Sequence, residues 1–374
     1  MSGPTVVNDE QWMARALALA ARGRYSTAPN PRVGCVIVRD GQVVGEGWHR
    51  QAGEPHAEVH ALRQAGEAAR GATAYVTLEP CSHHGRTPPC ADALVAAGVA
   101  EVVAAMTDPN PLVAGRGLAR LAAAGIATRA GVLEAEARAL NAGFIQRMLT
   151  GRPFVRVKLA LSLDGRTAMA NGESQWITGP AARQSVQRLR AEAGVVITGA
   201  DTVLADGARL TVRPSELGLT GEDLALATLR TPQRLLVDGR GRVPLEAPFF
   251  QAGAARVAGL ASDDPGYAAA GHDYLALPGT AGQVDLAALL TQLGTEQVND
   301  VLVEAGPRLA GAFARAGLVD EYHLFLAPKF LGSSARPLLD WPLEHLAEAP
   351  QLRIVSATPV GADLHLIARP LRDT

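Results

Sequence analysis

Hydrophobic positions in the first part of the chain alternate between helical and strand-like spacing. A helix is predicted over 8–22, because its apolar residues fall on one face and Gly23 can end it. Strands are predicted over 33–39 and 42–46, joined by Asp40-Gly41, a dipeptide typical of two-residue hairpin turns. The pattern then predicts helix 57–69, strand 74–78, helix 91–97, strand 101–106, helix 118–124, strand 126–130 and helix 133–149. This order is typical of a sheet covered by helices.

The pattern breaks at Thr150-Gly151-Arg152-Pro153, and a second alternating series follows. We therefore expect two domains, 1–150 and 151–374. The second series comprises strand 154–161, helix 181–193, strands 195–198, 234–237 and 256–261, helix 286–293, strand 301–304, helix 308–316 and strands near 321–326, 352–358 and 364–368. It predicts a second α/β domain with a partly antiparallel edge. Residues 214–232 carry few structural signals and are expected to form a long surface loop.

The length and charge of the chain limit the number of domains and the kinds of partner that it can have. The 374 residues agree with two domains of roughly 150 residues each. The 35 basic and 37 acidic residues leave a net charge of -2, so no basic field would attract nucleic acid or an acidic membrane. Since no stretch of about 18 uninterrupted apolar residues is present, we expect a soluble protein without a membrane partner. The N-terminus lacks the features of a signal peptide, and three cysteines cannot all pair within one chain, so we expect a cytoplasmic protein with reduced thiols.

Lysine is unusually rare in this chain. Only Lys158 and Lys329 are lysines among the 35 basic residues, which indicates a composition bias towards arginine. A lysine retained against such a bias is a candidate for chemistry that arginine cannot perform, because its amine is compact and titratable.

Metal-binding residue types are concentrated in the first 90 positions. His56-Ala57-Glu58 lies at a predicted helix start, Pro80-Cys81 follows a predicted strand, and Pro89-Cys90 opens the next helix. One imidazole and two thiolates would fill three positions of a tetrahedral zinc site and leave the fourth to a water molecule that zinc makes more acidic. Glu58, two residues from a ligand, is then a candidate for general acid/base work.

Other interpretations of these residues remain open. A closed structural site would recruit His83 or His84 as a fourth ligand, and scattered cysteines and histidines can also pack without any metal. Cys35, inside the apolar run 33–38, is expected to be a buried strand residue.

The His-x-Glu and Pro-Cys elements resemble the zinc-dependent cytidine deaminase superfamily. The second cysteine here lies nine positions after the first, and the segments 82–89 and 29–35 are similar to the riboflavin-biosynthesis branch. This resemblance implies that His56, Cys81 and Cys90 hold zinc and that Glu58 moves protons. It also implies substrate contacts from Asn30, His49 and the 83–87 loop, including His83, although His83 and His84 could instead lie in a solvated loop.

Four later segments, 158–165, 172–178, 202–206 and 303–307, resemble the reductase half of the bifunctional deaminase–reductases of riboflavin biosynthesis. The implied architecture is a cytidine-deaminase-like three-layer domain followed by a dihydrofolate-reductase-like α/β domain. That family deaminates 2,5-diamino-6-(5-phosphoribosylamino)pyrimidin-4-one. It then uses NADPH to reduce the ribosyl side chain of 5-amino-6-(5-phosphoribosylamino)uracil to ribityl. We therefore expect a small phosphorylated pyrimidine as substrate and a homo-oligomer.

The same resemblance assigns residues in the second half. No Gly-x-Gly-x-x-Gly precedes a helix, but Gly306-Pro307 follows a strand and opens a helix, where it would hold a phosphate or serve as a plain cap. The implied cofactor contacts are Ala160, Trp176, Thr202, Asp206, Gly306, Pro307, Arg308, Leu309, Ala310 and Gly311. The implied substrate contacts are Ser174, Arg190, Arg209, Leu210, Arg213 and Glu304. Lys158, Asp206 and Glu304 are the candidates for catalysis.

Two features of the second half of the chain leave alternatives to these residue roles. Lys158 could instead form a surface ion pair. Where the family commonly has Asp-Asp-Pro, this chain has Asp206-Gly207-Ala208, which predicts a more flexible loop beside Arg209.

Two further functions remain conceivable from the residues. The first is a zinc deaminase of RNA or nucleosides whose C-terminal half only binds, and the second is a non-enzymatic zinc scaffold. The near-neutral charge and the lack of a basic–aromatic stripe argue against nucleic-acid binding.

Overall fold

A computed structural model describes residues 9–82, 89–111, 113–260 and 264–371. The chain divides into two compact units, Met1–Gly151 and Arg152–Thr374. Among the described residues, no helix has the length and apolar character needed to cross a membrane.

Unit 1 is a sheet between two layers of helices. Its helices are α1 (Asp9–Ala21), α2 (Ala57–Ala65), α3 (Cys90–Ala97), α4 (Arg116–Ala123), α5 (Glu134–Leu140) and α6 (Ala142–Thr150), and its strands are β1 (Gly34–Arg39), β2 (Gln42–Trp48), β3 (Thr73–Val76), β4 (Glu101–Ala104) and β5 (Ala127–Ala130). The strand order is β2-β1-β3-β4-β5. Strand β1 runs antiparallel to β2 and β3, and β3, β4 and β5 are parallel.

The alternation of side chains along β1 explains the three layers. Cys35 and Ile37 pack on one face of the sheet with α2, α3 and α4. Val36 and Val38 pack on the other face with α1, α5 and α6. Because successive strand residues point to opposite faces, a continuous apolar run such as 33–38 can serve both cores at once. The predicted hairpin and three-layer arrangement are confirmed.

The predicted single helix over 133–149 is wrong, because the chain breaks at Asn141 between α5 and α6. The buried Asn141 side chain accepts a hydrogen bond from the Arg32 N–H at 2.8 Å and donates one to the Arg32 carbonyl at 2.9 Å. These bonds join the break to the segment before β1. An asparagine side chain that bonds to a distant backbone segment in this way favours a local conformation that interrupts a continuous helix.

A buried carboxylate fixes the segment between β3 and Cys81. Glu79 is 3 % exposed. Its oxygens accept hydrogen bonds from the backbone N–H groups of Gly117 (2.7 Å), Gly115 (2.9 Å), Asp108 (3.0 Å) and Leu118 (3.2 Å). A β carbon on Gly117 would lie 1.9 Å from the Pro80 carbonyl oxygen, so the close approach requires glycine. The start of α4 is therefore tied to the residues that lead into Cys81.

Unit 2 is built on one large twisted sheet. Its helices are α7 (Pro180–Glu192), α8 (Ala200–Asp206), α9 (Gly221–Thr228), α10 (Pro248–Gln251), α11 (Leu286–Thr295) and α12 (Pro307–Arg315). Its strands are β6 (Phe154–Ser162), β7 (Arg166–Ala168), β8 (Val195–Gly199), β9 (Gln233–Val237), β10 (Arg256–Leu260), β11 (Asp273–Leu277), β12 (Gly279–Thr280), β13 (Gln283–Val284), β14 (Asp300–Glu304), β15 (Glu321–Ala327), β16 (Arg336–Pro337), β17 (Leu352–Val360) and β18 (Asp363–Pro370).

The large sheet has the order β11-β10-β9-β8-β14-β6-β15-β18-β17. The seven strands from β11 to β15 are parallel, and β18 and β17 continue the sheet antiparallel, which confirms the predicted edge. One face packs on α11 and α12, and the other packs on α8 and α10.

The segment 214–232, predicted to be a long surface loop, lies mostly at the surface but is not a loop throughout. The segment contains a 3-10 turn, Pro214–Glu216, and helix α9. Leu217 and Ala227 of this segment are buried. Tertiary packing therefore stabilises a helix that is too short to be evident from local pattern.

We expect Glu79→Gln to destabilise unit 1. The amide NH2 would face backbone N–H donors that now meet a carboxylate oxygen, and leaving them unpaired in the interior costs about 3 kcal/mol. Denaturant unfolding measures the loss in the free energy of unfolding. The control is Glu101→Gln, which removes only a partly exposed pair with Arg129. Equal losses in the two variants would contradict the anchoring role.

Candidate functional site

Three soft donor atoms meet in unit 1. His56 directly precedes α2, Cys81 lies in the loop after β3, and Cys90 is the first residue of α3. The His56 Nδ1 lies 3.3 Å from the Cys90 Sγ and 3.6 Å from the Cys81 Sγ, and all three atoms lie within 4.8 Å of one another. The structure thus brings together the three predicted ligands.

The donor set fits a zinc ion. Tetrahedral zinc bonds to nitrogen and sulfur place neighbouring ligand atoms roughly 3.6–3.8 Å apart, close to the observed separations. Hydrogen bonds from Cys90 and His56 hold the pKa of the Cys81 thiol well below its usual range. Within the described ranges no further His, Cys, Asp or Glu joins the cluster, so the described donors leave one tetrahedral position open. His83 and His84, the candidates for closing the site, lie outside the described residues.

Glu58 is a buried carboxyl group beside this cluster. It lies in the first turn of α2, is 3 % exposed and interacts with the Cys90 thiol. Its Oε2 has no hydrogen-bond partner among the residues that the structure describes. Burial raises the pKa of Glu58, so the group takes up a proton more readily than an exposed glutamate. These are the properties expected of a general acid/base.

His49 packs against His56, one of the predicted metal ligands, and is hydrogen-bonded to Asn30. The His49 ring packs edge-on against His56, with centroids 5.2 Å apart. Burial lowers the pKa of His49, which favours the neutral ring. The His49 Nδ1 donates to the Pro55 carbonyl, so its Nε2 accepts from the Asn30 amide at 3.0 Å. This arrangement leaves the Asn30 side-chain oxygen as an acceptor.

Cys35 is not a member of the cluster of metal-type donors. It is fully buried in β1, as predicted, and burial raises the pKa of its thiol far above the usual range.

Unit 2 contains a cavity of about 1680 Å³. This exceeds the roughly 300–1,000 Å³ of ordinary small-ligand pockets, so two ligands can share it. It opens at the carboxyl ends of β8, β9 and β14, the usual ligand side of a parallel sheet. The predicted residues that line it are Lys158, Ala160, Ser174, Trp176, Arg190, Thr202, Asp206, Leu210, Arg213, Glu304, Gly306, Pro307, Arg308 and Leu309.

Three predicted contacts are not among the lining residues. Arg209 has an exposed side chain outside the cavity, and its carbonyl accepts a hydrogen bond from Arg234. Ala310 packs in the apolar core, and Gly311 faces the Asp340 backbone, where a β carbon would lie 2.6 Å from the carbonyl oxygen. Along a helix only some positions of a continuous motif can face one ligand.

A compact charged cluster lies inside the cavity. The Lys158 Nζ is 3.9 Å from the Glu304 Oε2, and the Arg190 guanidinium forms a two-point contact with the same carboxylate. Lys158 is only 18 % exposed, which rules out a surface ion pair. Burial lowers the pKa of Lys158, with Glu304 opposing this effect. Burial alone would raise the pKa of Glu304, but Arg190 holds it below its usual range.

The start of α12 provides a site for an anionic group. Gly306 is the N-cap residue, and its N–H donates to the Thr202 Oγ1 at 3.0 Å. The first-turn N–H groups of Arg308 and Leu309 have no partner within the helix, and the helix dipole is positive at this end. Ser174 and Asp206, both predicted contacts, are joined by a hydrogen bond of 3.1 Å.

Sequence reasoning missed Asp201, Arg240 and Arg242, which also line the cavity. Arg240 and Arg242 follow β9, and Asp201 begins the helix after β8. The predicted strand 234–237, together with the rule that ligands bind beyond the carboxyl ends of parallel strands, could have identified the two arginines.

Comparison with known proteins gives matches in both units. Residues 6–106 match the cytidine and deoxycytidylate deaminase zinc-binding region, and residues 153–366 match the RibD C-terminal domain. The chain is 56 % identical to the riboflavin biosynthesis protein RibD of Escherichia coli K12 over 96 % of its own length and 100 % of that protein. It is 46 % identical to the RibD of Haemophilus influenzae, with 96 % of each chain covered.

Solved structures also match this chain over both units. The RibD of Acinetobacter baumannii is 49 % identical, with a TM-score of 0.88, 97 % of this chain covered and 99 % of that one. A diaminohydroxyphosphoribosylaminopyrimidine deaminase/5-amino-6-(5-phosphoribosylamino)uracil reductase of Thermotoga maritima is 32 % identical, with a TM-score of 0.84 and the same coverage.

We expect the purified protein to bind one zinc ion per chain and Cys81→Ser to weaken binding roughly 100-fold or more, because loss of a direct ligand costs at least as much as loss of a supporting group. Competition with a chromogenic chelator measures the affinity. Cys35→Ala removes a thiol that does not belong to the donor cluster, so it should leave the affinity for zinc unchanged. An identical loss in both variants would contradict the ligand assignment.

Proposed function

The chain belongs to the RibD family of riboflavin biosynthesis proteins, and on this premise we propose which of its residues carry out the two reactions. It is a bifunctional enzyme, a zinc-dependent deaminase and an NADPH-dependent reductase. The second half has the dihydrofolate-reductase-like fold of the RibD reductase domain. A C-terminal half that only binds RNA is not favoured, because residues 153–366 match that reductase domain.

We base the assignment of residues on the reactive groups that each unit brings together. Unit 1 holds a zinc-type donor set beside a buried carboxyl group, and unit 2 holds a buried lysine–carboxylate pair in a cavity large enough for two ligands. We propose that residues 1–150 form the deaminase domain and 151–374 the reductase domain. We propose the phosphoribosylated diaminopyrimidine as substrate of the first reaction and its deaminated product as substrate of the second.

For deamination, His56, Cys81 and Cys90 would hold the metal. Zinc bound there supplies the Lewis acid that makes a water molecule nucleophilic at neutral pH. Glu58 would take the two protons of the attacking water in turn, passing the first to the ring nitrogen and the second to the departing ammonia. Its burial supports this role, because a raised pKa brings the carboxyl closer to the operating pH. The Asn30 oxygen, oriented by His49, would accept a hydrogen bond from the substrate, and we propose His83 as a further substrate contact.

For reduction, NADPH supplies the hydride. Lys158 supplies the proton to the opened ribosyl group as the carbon is reduced, which a buried amine with a lowered pKa can do near neutral pH. Glu304 holds the lysine in place, and Arg190 holds Glu304. The half-exposed Arg213, which lines the cavity and pairs with Glu216 at 2.8 Å, would bind the substrate phosphate. Ser174 and Leu210 complete the substrate site, and Asp206 positions Ser174.

The remaining cofactor contacts follow from the cavity. Ala160, Trp176 and Thr202 would contact the dinucleotide, and the turn from Gly306 to Leu309 would hold its pyrophosphate. Arg209, Ala310 and Gly311 do not line the cavity. We propose that they only help to position neighbouring residues that do, such as Leu210 and Leu309.

We also propose a homo-oligomer that functions in the cytoplasm. Edge strand β17 exposes Leu352, Ile354 and Val355 by 43 %, 64 % and 47 %. Exposed apolar edge strands are avoided in monomers and favour pairing with another chain. A metal site that relies on two thiols favours a reducing compartment.

We expect Glu58→Gln to lower the rate of ammonia release by about 10²–10⁴-fold while zinc remains bound, because the amide cannot accept and return the proton. Ammonia release and metal content are measured on the same preparation. Glu67→Gln, an exposed glutamate of the same unit, removes the same charge and should retain full activity. Retained deamination in Glu58→Gln would favour a scaffold role for the metal.

We expect Lys158→Ala to lower the rate of NADPH oxidation by about 10²-fold or more and to leave ammonia release unchanged, because the lysine acts only as the proton donor of reduction. In the native protein the reductase rate should fall on the alkaline side, with an apparent pKa below that of a free lysine, because burial favours the neutral amine. That alkaline limb should be lost in the variant. Equal damage to both activities, or an unchanged pH profile, would contradict the assignment.

A further inference from the structure

A buried glutamine in the wall of the unit 2 cavity has no role in the mechanism described above. Gln187, on α7, lines the cavity and is 1 % exposed. We propose that Gln187 is a positioning residue, which holds Arg213 where it can bind the substrate phosphate. The inference rests on the phosphate-binding role proposed for Arg213 and adds the residue on which that role depends.

The Gln187 amide reaches Arg213 by two routes. Its Oε1 accepts a hydrogen bond from the Arg213 backbone N–H at 3.0 Å. Its Nε2 donates to the Glu216 Oε2 at 3.3 Å, and the same carboxylate oxygen pairs with the Arg213 Nη2 at 2.8 Å. Because an amide offers both an acceptor and a donor, it holds the backbone of Arg213 directly and the guanidinium through Glu216.

The ion pair between Arg213 and Glu216 is too exposed to fix the arginine without this amide. The two side chains are 48 % and 39 % exposed. Exposed ion pairs contribute little stability, and holding an arginine side chain in one conformation costs rotamer entropy. The hydrogen bonds of Gln187 are stronger constraints, because breaking them leaves polar groups of a buried side chain unpaired.

Helix α7 links the phosphate site to the reacting centre. Arg190 follows Gln187 by three positions, so the two side chains lie on one face of α7. The Arg190 Nη1 donates to the Thr211 carbonyl at 3.1 Å, and its Nη2 donates to the Glu304 Oε2 at 2.9 Å. The same helix therefore holds both the segment 211–213 and the carboxylate of the reacting centre.

Helix α7 is itself fixed to the sheet. The N–H of its N-cap residue, Gly179, donates to the buried Asp363 Oδ2 at 2.7 Å. Ala182 and Val186 pack against Phe325 of β15. An amide carried on such a support restricts its partners before the ligand arrives, which reduces the entropy lost on binding.

The Arg213 guanidinium already acts on the reacting centre. Burial raises the pKa of Glu304, and the charges of Arg190 and Lys158 lower it below its usual range. The charge of Arg213 adds to this lowering. The phosphate-binding side chain and the reacting centre therefore lie within electrostatic range of each other, as a phosphorylated pentose that contacts both requires.

The experiment compares how the full-length protein reduces the phosphoribosylated aminouracil and its dephosphorylated counterpart. Gln187→Met removes both hydrogen bonds and nearly keeps the length of the side chain. The KM for the phosphorylated substrate should rise about tenfold, because Arg213 loses its fixed position. Its kcat should stay within about threefold, because Lys158 and Glu304 are unchanged. Both constants for the dephosphorylated substrate should also stay within about threefold, because it has no phosphate to place at Arg213.

Two controls separate positioning from a general structural effect. Gln184→Met makes the same exchange three positions earlier on α7, at an exposed residue that does not line the cavity, and should change neither substrate. In an Arg213→Gln background, Gln187→Met should lower kcat/KM by less than about threefold further, because the arginine through which it acts is absent. Thermal unfolding checks that each variant is folded. Gln187→Glu, which cannot donate to Glu216, replaces the methionine variant if that variant does not fold, and should show the same selective loss.

Three results would contradict the inference and leave the phosphate-binding role of Arg213 intact. They are an equal loss on both substrates in Gln187→Met, no loss on either substrate, and a full tenfold loss that persists in the Arg213→Gln background. If Arg213→Gln itself raises the KM equally for both substrates, the phosphate-binding role fails and the inference fails with it.

Discussion

The requirement that three soft donors share one small volume governs the arrangement of unit 1. His56, Cys81 and Cys90 belong to three separate segments, yet their ligand atoms lie within 4.8 Å of one another. Two of them are fixed by helix starts, where the backbone direction is set by packing on the sheet. The third, Cys81, accepts hydrogen bonds from the N–H groups of Cys90 and Ala91 at the start of α3, and the buried carboxylate of Glu79 ties the segment before it to α4. The geometry of the donor cluster therefore also involves a buried, hydrogen-bonded carboxylate that is not itself a member of the cluster.

The sequence predicts the features that local signals determine. The hairpin at Asp40-Gly41, the alternating helices and strands, and the grouping of the three metal ligands all follow from residue type and spacing. The break at Asn141 and helix α9 do not, because each depends on contacts with distant residues. A bond from Asn141 to Arg32, 109 positions away, has no signature in the residues on either side of the break.

In the candidate site of unit 2, too, the sequence predicts some features and not others. A resemblance between motifs identifies which stretch of chain approaches a ligand, but the helix or loop geometry decides which side chains face it. Gly306 to Leu309 line the cavity, whereas Ala310 and Gly311 of the same run are packed inside. Arg240 and Arg242 lie outside every recognised motif and reach the cavity because β9 is two strands from β14 in the sheet. The predicted strand 234–237 indicates that the segment after it is a candidate, but only the strand order shows that its end lies two strands from β14.

The scarcity of lysine has a practical consequence for handling the protein. Reagents that couple to side-chain amines have only Lys158 and Lys329 as targets. Lys158 lies inside the cavity, and the Lys329 Nζ contacts the carbonyl of Trp176, which lines it. Coupling through side-chain amines would therefore modify the cavity at Lys158 or attach the protein at the exposed Lys329, next to Trp176. A tag at a chain terminus is the better choice for surface-based measurements.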